Sequence, residues 1–296
     1  MRTLAGTSEL PLSSRDRGAT VRDRLFEGLL VFSLTVGFVL LAVLLVDVFR
    51  RGVVYVDPVL LTEPSSTRPE RAGAGPAILG TVYLMVLLLL MTVPIGVGTA
   101  LYLEEYANRE RWYNRALEVN IQNLAAVPSI VYGILGLAFI VRGPAGLGFV
   151  LLSGALILTL FVLPIVIVSA REAIRAVPDS IRQGAYALGA TQWLVIRRQV
   201  LPAAIPGIAT GSILALARAI GETAPLLLVG ALTYVPFNPE ILGRFTALPV
   251  QIYQWISRPQ DEFRDLAAAG IIVLLALLLT MNAFAILLRN RYQKRW

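Results

Sequence analysis

Apolar residues along this chain fall into six long runs that polar stretches separate. Each run is long enough for a helix that crosses the hydrocarbon core of a bilayer, which takes about 20 residues. Because a run of this length cannot pass as an ordinary strand or loop in lipid, the pattern predicts an all-α membrane protein with six transmembrane helices. The predicted spans are residues 28–46, 72–103, 119–141, 148–170, 207–232 and 266–288.

Prolines and short amphipathic stretches modify this plain pattern. Pro94 and Pro164 lie inside predicted spans, where proline should kink a helix or break its ladder locally, and Pro128 lies near the start of the third span. Residues 104–118 alternate acids and arginines and predict a cytoplasmic surface helix. The segment Leu248–Ile256 is predicted to lie as an amphipathic helix at the outer interface, anchored by Tyr253 and Trp255.

Composition narrows the possible functions. Of 296 residues, 56% are hydrophobic, which excludes an ordinary soluble domain. There are no cysteines, which excludes disulfides and thiol chemistry, and no histidines, the usual metal ligands and proton shuttles. No phosphate-binding G-x-x-x-x-G-K-[ST] motif occurs, so the chain does not bind ATP in that way. We therefore expect no catalytic residues, no metal and no cofactor in this chain. Its net charge of +7 is more typical of cytoplasmic arginines in a membrane protein than of nucleic-acid binding, so we expect no nucleic-acid partner.

The basic residues predict the orientation of the spans. The N-terminal tail (residues 1–27, with Arg2, Arg15 and three further arginines), the second and fourth loops and the C-terminus carry 17 lysines and arginines, against 8 in the other loops. Because basic residues concentrate on the cytoplasmic side, both termini are predicted to be cytoplasmic. Lys294 and Arg295 belong to the C-terminal tail in this count.

A basic, soluble-looking island at residues 178–207 separates the fourth and fifth spans. Pro178, with Asp179 or Ser180, starts a first helix that Gly189 can end in a left-handed conformation. Thr191 can cap a second helix that runs toward Leu201 and Pro202. The island is predicted to be a helical hairpin on the cytoplasmic membrane surface.

The fifth span is the one predicted span that contains charges, Arg218 and Glu222. A charge near the bilayer centre costs about 2.5–3.5 kcal/mol on insertion scales, so it usually has a functional or structural partner. Four residues apart on one helix, the two side chains should share a face. They are either a self-neutralising pair facing a partner helix or a binding group on a transport path. Thr223, between Gly221 and Pro225, suggests a local break where backbone donors reach a ligand.

The island resembles the cytoplasmic loop of importers driven by ATP-binding cassettes, which reads Glu-Ala-Ala, three residues, Gly, nine residues, Ile, any residue, Leu-Pro. Gln183-Gly184-Ala185, Gly189 and Leu201-Pro202 match its spacing. Gln183, Gly184 and Gln199 depart from the commoner residues. The resemblance implies that this loop docks in a cleft of an ATPase subunit; the alternative is an ordinary connecting loop.

Three further segments are similar to permease subunits of phosphate importers, of the PstA type rather than the PstC type. They are residues 216–226, which end Gly-Glu-Thr-Ala-Pro-Leu, residues 101–107 and residues 123–133. This resemblance covers about residues 76–290. It implies a type I importer permease fold, with residues 28–75 as a first span and external loop, 76–290 as the permease core, a coupling loop at about 171–206, and 291–296 as a cytoplasmic tail.

The resemblance also implies roles and partners. Arg218, Glu222 and Thr223 would line the substrate path, and Gln183, Gly184, Ala185, Gly189, Leu201 and Pro202 would contact the ATPase. The expected partners are a homologous PstC-like permease subunit, two copies of a PstB-like ATPase subunit that binds the ATP, and an external PstS-like phosphate-binding protein. The complex would lie in a bacterial or archaeal cytoplasmic membrane and import phosphate.

Three alternatives remain open at this point. The chain is a permease for another oxyanion, such as sulfate, molybdate or phosphonate; an ion-coupled secondary transporter that works without an ATPase; or a membrane sensor without flux, a role that can coexist with import. The Gly-Glu-Thr-Ala-Pro-Leu segment disfavours the first alternative. The island and the lack of an internal repeat disfavour the second.

Overall fold

The computed structural model describes residues 17–108, 110–231 and 235–292. Arg2, Arg15, Lys294 and Arg295 of the predicted tails lie outside these ranges. Within them the chain is helical and contains no strand, which confirms the all-α prediction. The helices are α1 (Arg17–Gly52), α2 (Pro58–Thr62), α3 (Gly75–Leu101), α4 (Trp112–Ala125), α5 (Ser129–Gly136), α6 (Leu151–Arg175), α7 (Asp179–Ala187), α8 (Gln192–Val195), α9 (Leu201–Ile220), α10 (Ala224–Leu228), α11 (Leu248–Ile256) and α12 (Asp261–Tyr292).

Three π-helical turns extend these helices: Tyr102–Tyr106 follows α3, Leu137–Val141 follows α5, and Ile196–Val200 joins α8 to α9. With these extensions, five helical segments of the described chain are long and apolar enough to cross a membrane, and α4 with α5 makes a sixth if that bent pair is one span. The prediction of six membrane spans is confirmed in this sense.

The chain divides into two compact units, residues 1–50 and residues 51–296. The described part of the first unit is most of α1. This helix begins at Arg17, within the predicted tail, and its apolar side chains, such as Leu29, Phe32 and Phe38, are exposed. A helix that presents apolar side chains over most of its surface is suited to lipid.

The core of the second unit is centred on α6. This helix packs against α3 on one side and α9 on the other, and Leu151, Leu158 and Val162 on it are fully buried. Pro94 and Pro164 lie inside α3 and α6 without ending either helix. The largest hydrophobic cluster joins these three helices to α10 and the segment before α11.

Two predicted spans are broken rather than continuous. The third bends by 105° between α4 and α5, because Pro128 has no N–H to continue a helix and holds an extended ψ of 137°. The fifth was predicted to end at Leu232, which lies outside the described residues, but its helix ends at Ile220. After three residues the chain forms the short helix α10, which has Pro225 in its first turn.

The predicted external helix has the predicted bounds, Leu248–Ile256, but a different environment. Tyr253 is exposed, as an interfacial anchor would be, whereas Trp255 is fully buried. Trp255 packs in a cluster with Leu60 and Phe263 because α11 lies against the start of α12. The prediction that Trp255 anchors this helix at the membrane interface is therefore wrong.

Candidate functional site

The island between α6 and α9 is a helical hairpin whose arms are α7 and α8. Pro178 occupies the cap position before α7, and Gly189 lies between the arms with φ of +80°. Glycine takes this conformation at no steric cost, whereas a residue with a β-carbon does not. Thr191 is at the cap position of α8, as predicted, but its side chain makes no capping hydrogen bond.

The second arm continues into the membrane. Residues 192–220 form one helical path in which the π turn Ile196–Val200 connects α8 to α9. The second helix was predicted to run toward Leu201 and Pro202. In the structure these two residues form the first turn of α9. Proline suits this first turn because its missing N–H is not required there. The second arm of the hairpin is thus continuous with α9.

The predicted coupling residues divide into an outer and an inner set. Gln183, Gly184 and Gly189 are exposed on the hairpin surface. The inner residues, Ala185 and Leu201, pack on an apolar cluster that joins the hairpin to α3, α6 and α9. Half-buried Pro202 is next to Leu201 in the chain. The structure thus leaves the outer set free for another protein and uses the inner set to hold the hairpin.

Sequence reasoning missed three large apolar side chains on the outer surface of the hairpin. Leu188 is 90% exposed, Trp193 is 59% exposed and Tyr186 is 44% exposed. An available signal was that they flank Gly189, the predicted turn of the hairpin. Exposed apolar groups are often found where a protein contacts a partner, and Trp and Tyr contribute strongly to such contacts.

A network of ion pairs lies where the hairpin meets the spans, and it too was missed. Glu105, at the end of α3, pairs with Arg182 of α7 at 3.1 Å. Its neighbour Glu104 pairs with Arg171 and Arg175 on the last turns of α6. The acids lie in a motif that resembles phosphate permeases, but sequence alone did not indicate their partners, which are 67 to 77 residues away.

Arg218 and Glu222 do not share a helix face. The helix ends between them at Ile220, and within the described chain no ion pair joins them or links either one to another charge. Arg218 instead lies over the ring of Phe161, with its guanidinium carbon 5.1 Å from the ring centroid. The Arg218 residue is exposed and Glu222 is half-buried. The guanidinium of Arg218 is therefore not neutralised by a carboxylate of the described chain and stays accessible.

Two aromatic rings support Arg218. Phe161 makes an edge-to-face contact with Tyr132, with ring centroids 5.7 Å apart. The Tyr132 hydroxyl donates to the carbonyl of Leu124 at 2.8 Å, which connects α5 to α4 across the bend. Neither ring was predicted as part of the site, because apolar periodicity cannot distinguish them from other core residues.

The two broken spans meet beside this arginine. A β-carbon at Gly133 of α5 would lie 2.8 Å from the Cα of Pro225 in α10, so the two backbones approach closely. Between α9 and α10, Thr223 is half-buried, and its hydroxyl makes only a long contact of 3.5 Å to the carbonyl of Gly221. Irregular backbone at membrane depth is typical of transporter binding sites, where it lines a cavity.

The described residues around Arg218 form no cluster of side chains of the kind that holds a metal. Within the described ranges, no three histidine, cysteine, aspartate or glutamate side chains come together. The chemistry offered is a forked cation, one carboxyl group, one hydroxyl and the backbone of a helix break. A guanidinium fork suits bidentate contact with an oxyanion.

Residues 92–296 match the family model described as the inner membrane component of binding-protein-dependent transport systems. The phosphate transport system permease protein PstA of Xylella fastidiosa is 35% identical over 81% of this chain and 84% of its own length. The protein of the same description from Haemophilus influenzae is 32% identical over 88% of this chain and 92% of its own length.

A solved structure has the same fold. It is a bacterial alginate ABC transporter in complex with an alginate pentasaccharide-bound periplasmic protein, with a TM-score of 0.67 and 17% identity, covering 92% of this chain and 96% of the compared chain. The fold is therefore that of ABC importer permeases, as the sequence predicted.

Proposed function

Because the chain belongs to the family of binding-protein-dependent transport system inner membrane components, we propose that it is the permease subunit of an ATP-driven importer of inorganic phosphate. The choice of phosphate as the substrate rests on the similarity to proteins described as phosphate transport permeases, over more than four fifths of the chain. Their sequence identity to this chain, 35% and 32%, is about twice that of the alginate transporter that shares only the fold, 17%.

The exposed face of α9 suits an oxyanion. Arg218 carries a positive charge that no described carboxylate neutralises, and the ring of Phe161 holds it in place. Glu222 and Thr223 follow at the helix break, within a few residues along the chain. We propose that the Arg218 guanidinium attracts the anion, while Glu222 accepts a hydrogen bond from a partly protonated phosphate and Thr223 donates one.

The hairpin is proposed to be the docking element for an ATPase subunit that binds the ATP. Leu188 and Trp193 would fill apolar pockets of that subunit, and Gln183 and Gly184 would lie along its rim. Hydrolysis in the ATPase would then shift the hairpin and, through the continuous helix from Gln192 to Ile220, the access of the path to each side. The chain itself would perform no chemistry.

The remaining partners follow from the same proposal. A second, homologous permease subunit would cover the Arg218 face, a pair of ATPase subunits would bind the cytoplasmic side, and an external phosphate-binding protein would deliver the anion. The alginate transporter with this fold is described in complex with a periplasmic protein.

Orientation in the membrane provides an independent check. Both termini and the hairpin are proposed to be cytoplasmic. A reporter inserted at Gly189 or fused after Trp296 should therefore be cytoplasmic, and one inserted near Asn238 should be external. Trp296 lies outside the described residues. An external reporter at Gly189 would exclude docking to a cytoplasmic ATPase.

The decisive experiment is reconstitution of the complex in liposomes with ATP inside and the loaded binding protein outside. We expect accumulation of labelled phosphate that requires ATP and exceeds that of sulfate or molybdate. Preference for another oxyanion would revise the substrate. Transport by the purified chain without an ATPase would indicate a secondary transporter, and phosphate-dependent signalling without flux would indicate a sensor.

A further inference from the structure

The π turn Tyr102–Tyr106 at the end of α3 carries two consecutive buried glutamates. We propose that this turn, with Glu104 and Glu105 as positioning residues, is the link through which movement of the hairpin is passed to α3. The inference rests on the proposed docking of an ATPase to the hairpin. It adds a residue-level transmission element that lies outside the hairpin itself.

In this turn the consecutive side chains of Glu104 and Glu105 contact two different elements, α6 and the hairpin. It closes with a hydrogen bond from the N–H of Ala107 to the carbonyl of Tyr102, at 2.8 Å, which spans five residues where an α-helix spans four. The side chains of Glu104 and Glu105 are only 4% and 9% exposed. Single π turns inside helices occur frequently at functional sites.

Glu105 holds both arms of the hairpin. Its carboxylate accepts a bond from Arg182 of α7 at 3.1 Å, and its backbone carbonyl accepts one from the side-chain amide of Gln192 in α8 at 2.6 Å. Arg182 also donates to the carbonyl of Ile174 in the last turn of α6 and to that of Val177, between α6 and α7. One residue of the π turn that follows α3 is thus hydrogen-bonded to both helices of the hairpin.

Glu104 fixes the same turn to α6. Its carboxylate contacts Arg171 at 3.3 Å and Arg175 at 2.5 Å, and Arg171 also contacts Glu118 of α4 at 2.6 Å. Glu104 and Arg171 are themselves only 4% and 8% exposed, and charged hydrogen bonds between buried groups are directional and are screened less than surface pairs. The end of α3 is therefore held in register with α6 and α4 while Glu105 holds the hairpin.

Chain connectivity explains why α3 needs such a link. The hairpin is joined covalently to α6 through Ala176–Pro178 and to α9 through the π turn Ile196–Val200. Glu105, in the turn that follows α3, lies 77 residues before Arg182 and 87 before Gln192. Apolar packing against the hairpin would allow sliding, whereas these polar contacts fix direction. Without them, displacement of the hairpin would reach α6 and α9 directly and α3 only weakly.

The test uses the whole complex and compares two carboxylates on the same arginine. Glu105→Gln weakens the bond between α3 and Arg182. Asp179→Asn is the matched control, because Asp179 also pairs with Arg182, at 3.0 Å, but is 84% exposed and belongs to α7 itself. The measurements are the amount of assembled complex, basal ATP hydrolysis, its stimulation by loaded binding protein, and phosphate uptake.

For Glu105→Gln we expect normal assembly and basal hydrolysis, with stimulation and uptake each reduced at least about fivefold, the lower end of typical coupling between sites. Asp179→Asn should behave like the wild type. If Glu105→Gln prevents assembly, Gln192→Ala, which removes only the bond to the Glu105 carbonyl, should show the same selective loss.

Wild-type stimulation and uptake in the variant that assembles would overturn the link. A parallel fall of basal hydrolysis and stimulation would also overturn it, since a merely structural role predicts that pattern. A wild-type complex that hydrolyses ATP on stimulation but carries no phosphate would refute the proposed substrate and leave the link standing.

Discussion

The end of the chain where the hairpin meets α3 and α6, here called the hairpin end, and the face around Arg218 use arginine in opposite ways. At the hairpin end, Arg171, Arg175 and Arg182 each pair with at least one carboxylate. At the face on α9, Arg218 contacts an aromatic ring and no described carboxylate. The first group of charges is used to hold helices together, whereas the charge on Arg218 stays available.

This difference indicates separate tasks. Ion pairs restrain relative motion of the elements that they join, so α3, α6 and the hairpin are held together at this end. A cation over an aromatic face keeps its hydrogen-bond donors free while its position is restrained. The mutations below test this division of tasks, beginning with the largest expected effect.

Substitution of Arg218 should affect transport most. Arg218→Gln should reduce phosphate uptake per assembled complex by about 10- to 100-fold, since hydrogen bonds to charged groups contribute about 1.5–3 kcal/mol. Arg218→Lys keeps the charge without the fork and should lie between that variant and the wild type. The double variant with Glu222→Gln should not recover, because no ion pair joins the two residues. Recovery of uptake in the double variant would make the pair structural.

Gly189 tests the hairpin. With φ of +80°, Gly189→Val should cost about 1–2 kcal/mol of backbone strain and weaken ATPase binding about 5- to 30-fold. Gly184→Ala is the matched control, since a β-carbon there meets nothing within 4 Å. The amount of ATPase subunit that co-purifies with each variant measures its binding. Equal retention of the ATPase in the two variants would contradict the docking role of Gly189.

The aromatic support beneath Arg218 should matter less than the charge. Phe161→Leu removes a contact that typically contributes about 0.5–2 kcal/mol, so uptake should fall about 2- to 30-fold while assembly persists. Phe149→Leu removes a similar contact, with Arg142 at 5.5 Å instead of with Arg218. In phosphate-uptake assays, Phe161→Leu should lose more uptake than Phe149→Leu. An equal loss of uptake would show that Arg218 needs no ring beneath it.

Gln183 should have the smallest effect. Gln183→Glu restores the residue that is commoner in such loops, on an exposed position of α7. An exposed charge usually changes an interaction by about 0–1 kcal/mol, so ATP-driven uptake should change by less than about fivefold. A larger loss would mean that the ATPase surface is specifically adapted to glutamine.

The sequence predicted the spans and the hairpin because apolar runs and glycine or proline positions are local signals. It did not predict the end of α9 at Ile220, although Gly221 and Pro225 indicated a local break. Helical spacing of Arg218 and Glu222 therefore suggested a shared face that does not exist. Run length alone could not show that the chain turns between them.

The contacts that define the two regions depend on distant parts of the chain. The Glu105–Arg182 and Glu104–Arg171 pairs join residues that only the packing of α3 against α6 brings together. The burial of Trp255 likewise follows from α11 packing on α12. Single-sequence patterns carry no information about such pairings, so these features required the structure.

The central claim is that the hairpin end transmits ATP hydrolysis while the Arg218 face carries the anion. The most direct test measures phosphate uptake and stimulated ATP hydrolysis together, in the same proteoliposomes, for the wild type, Arg218→Gln and Glu105→Gln. We predict that Arg218→Gln keeps stimulation by the loaded binding protein while losing uptake, and that Glu105→Gln loses both. The same ratio of uptake to stimulated hydrolysis in all three would contradict the division of tasks.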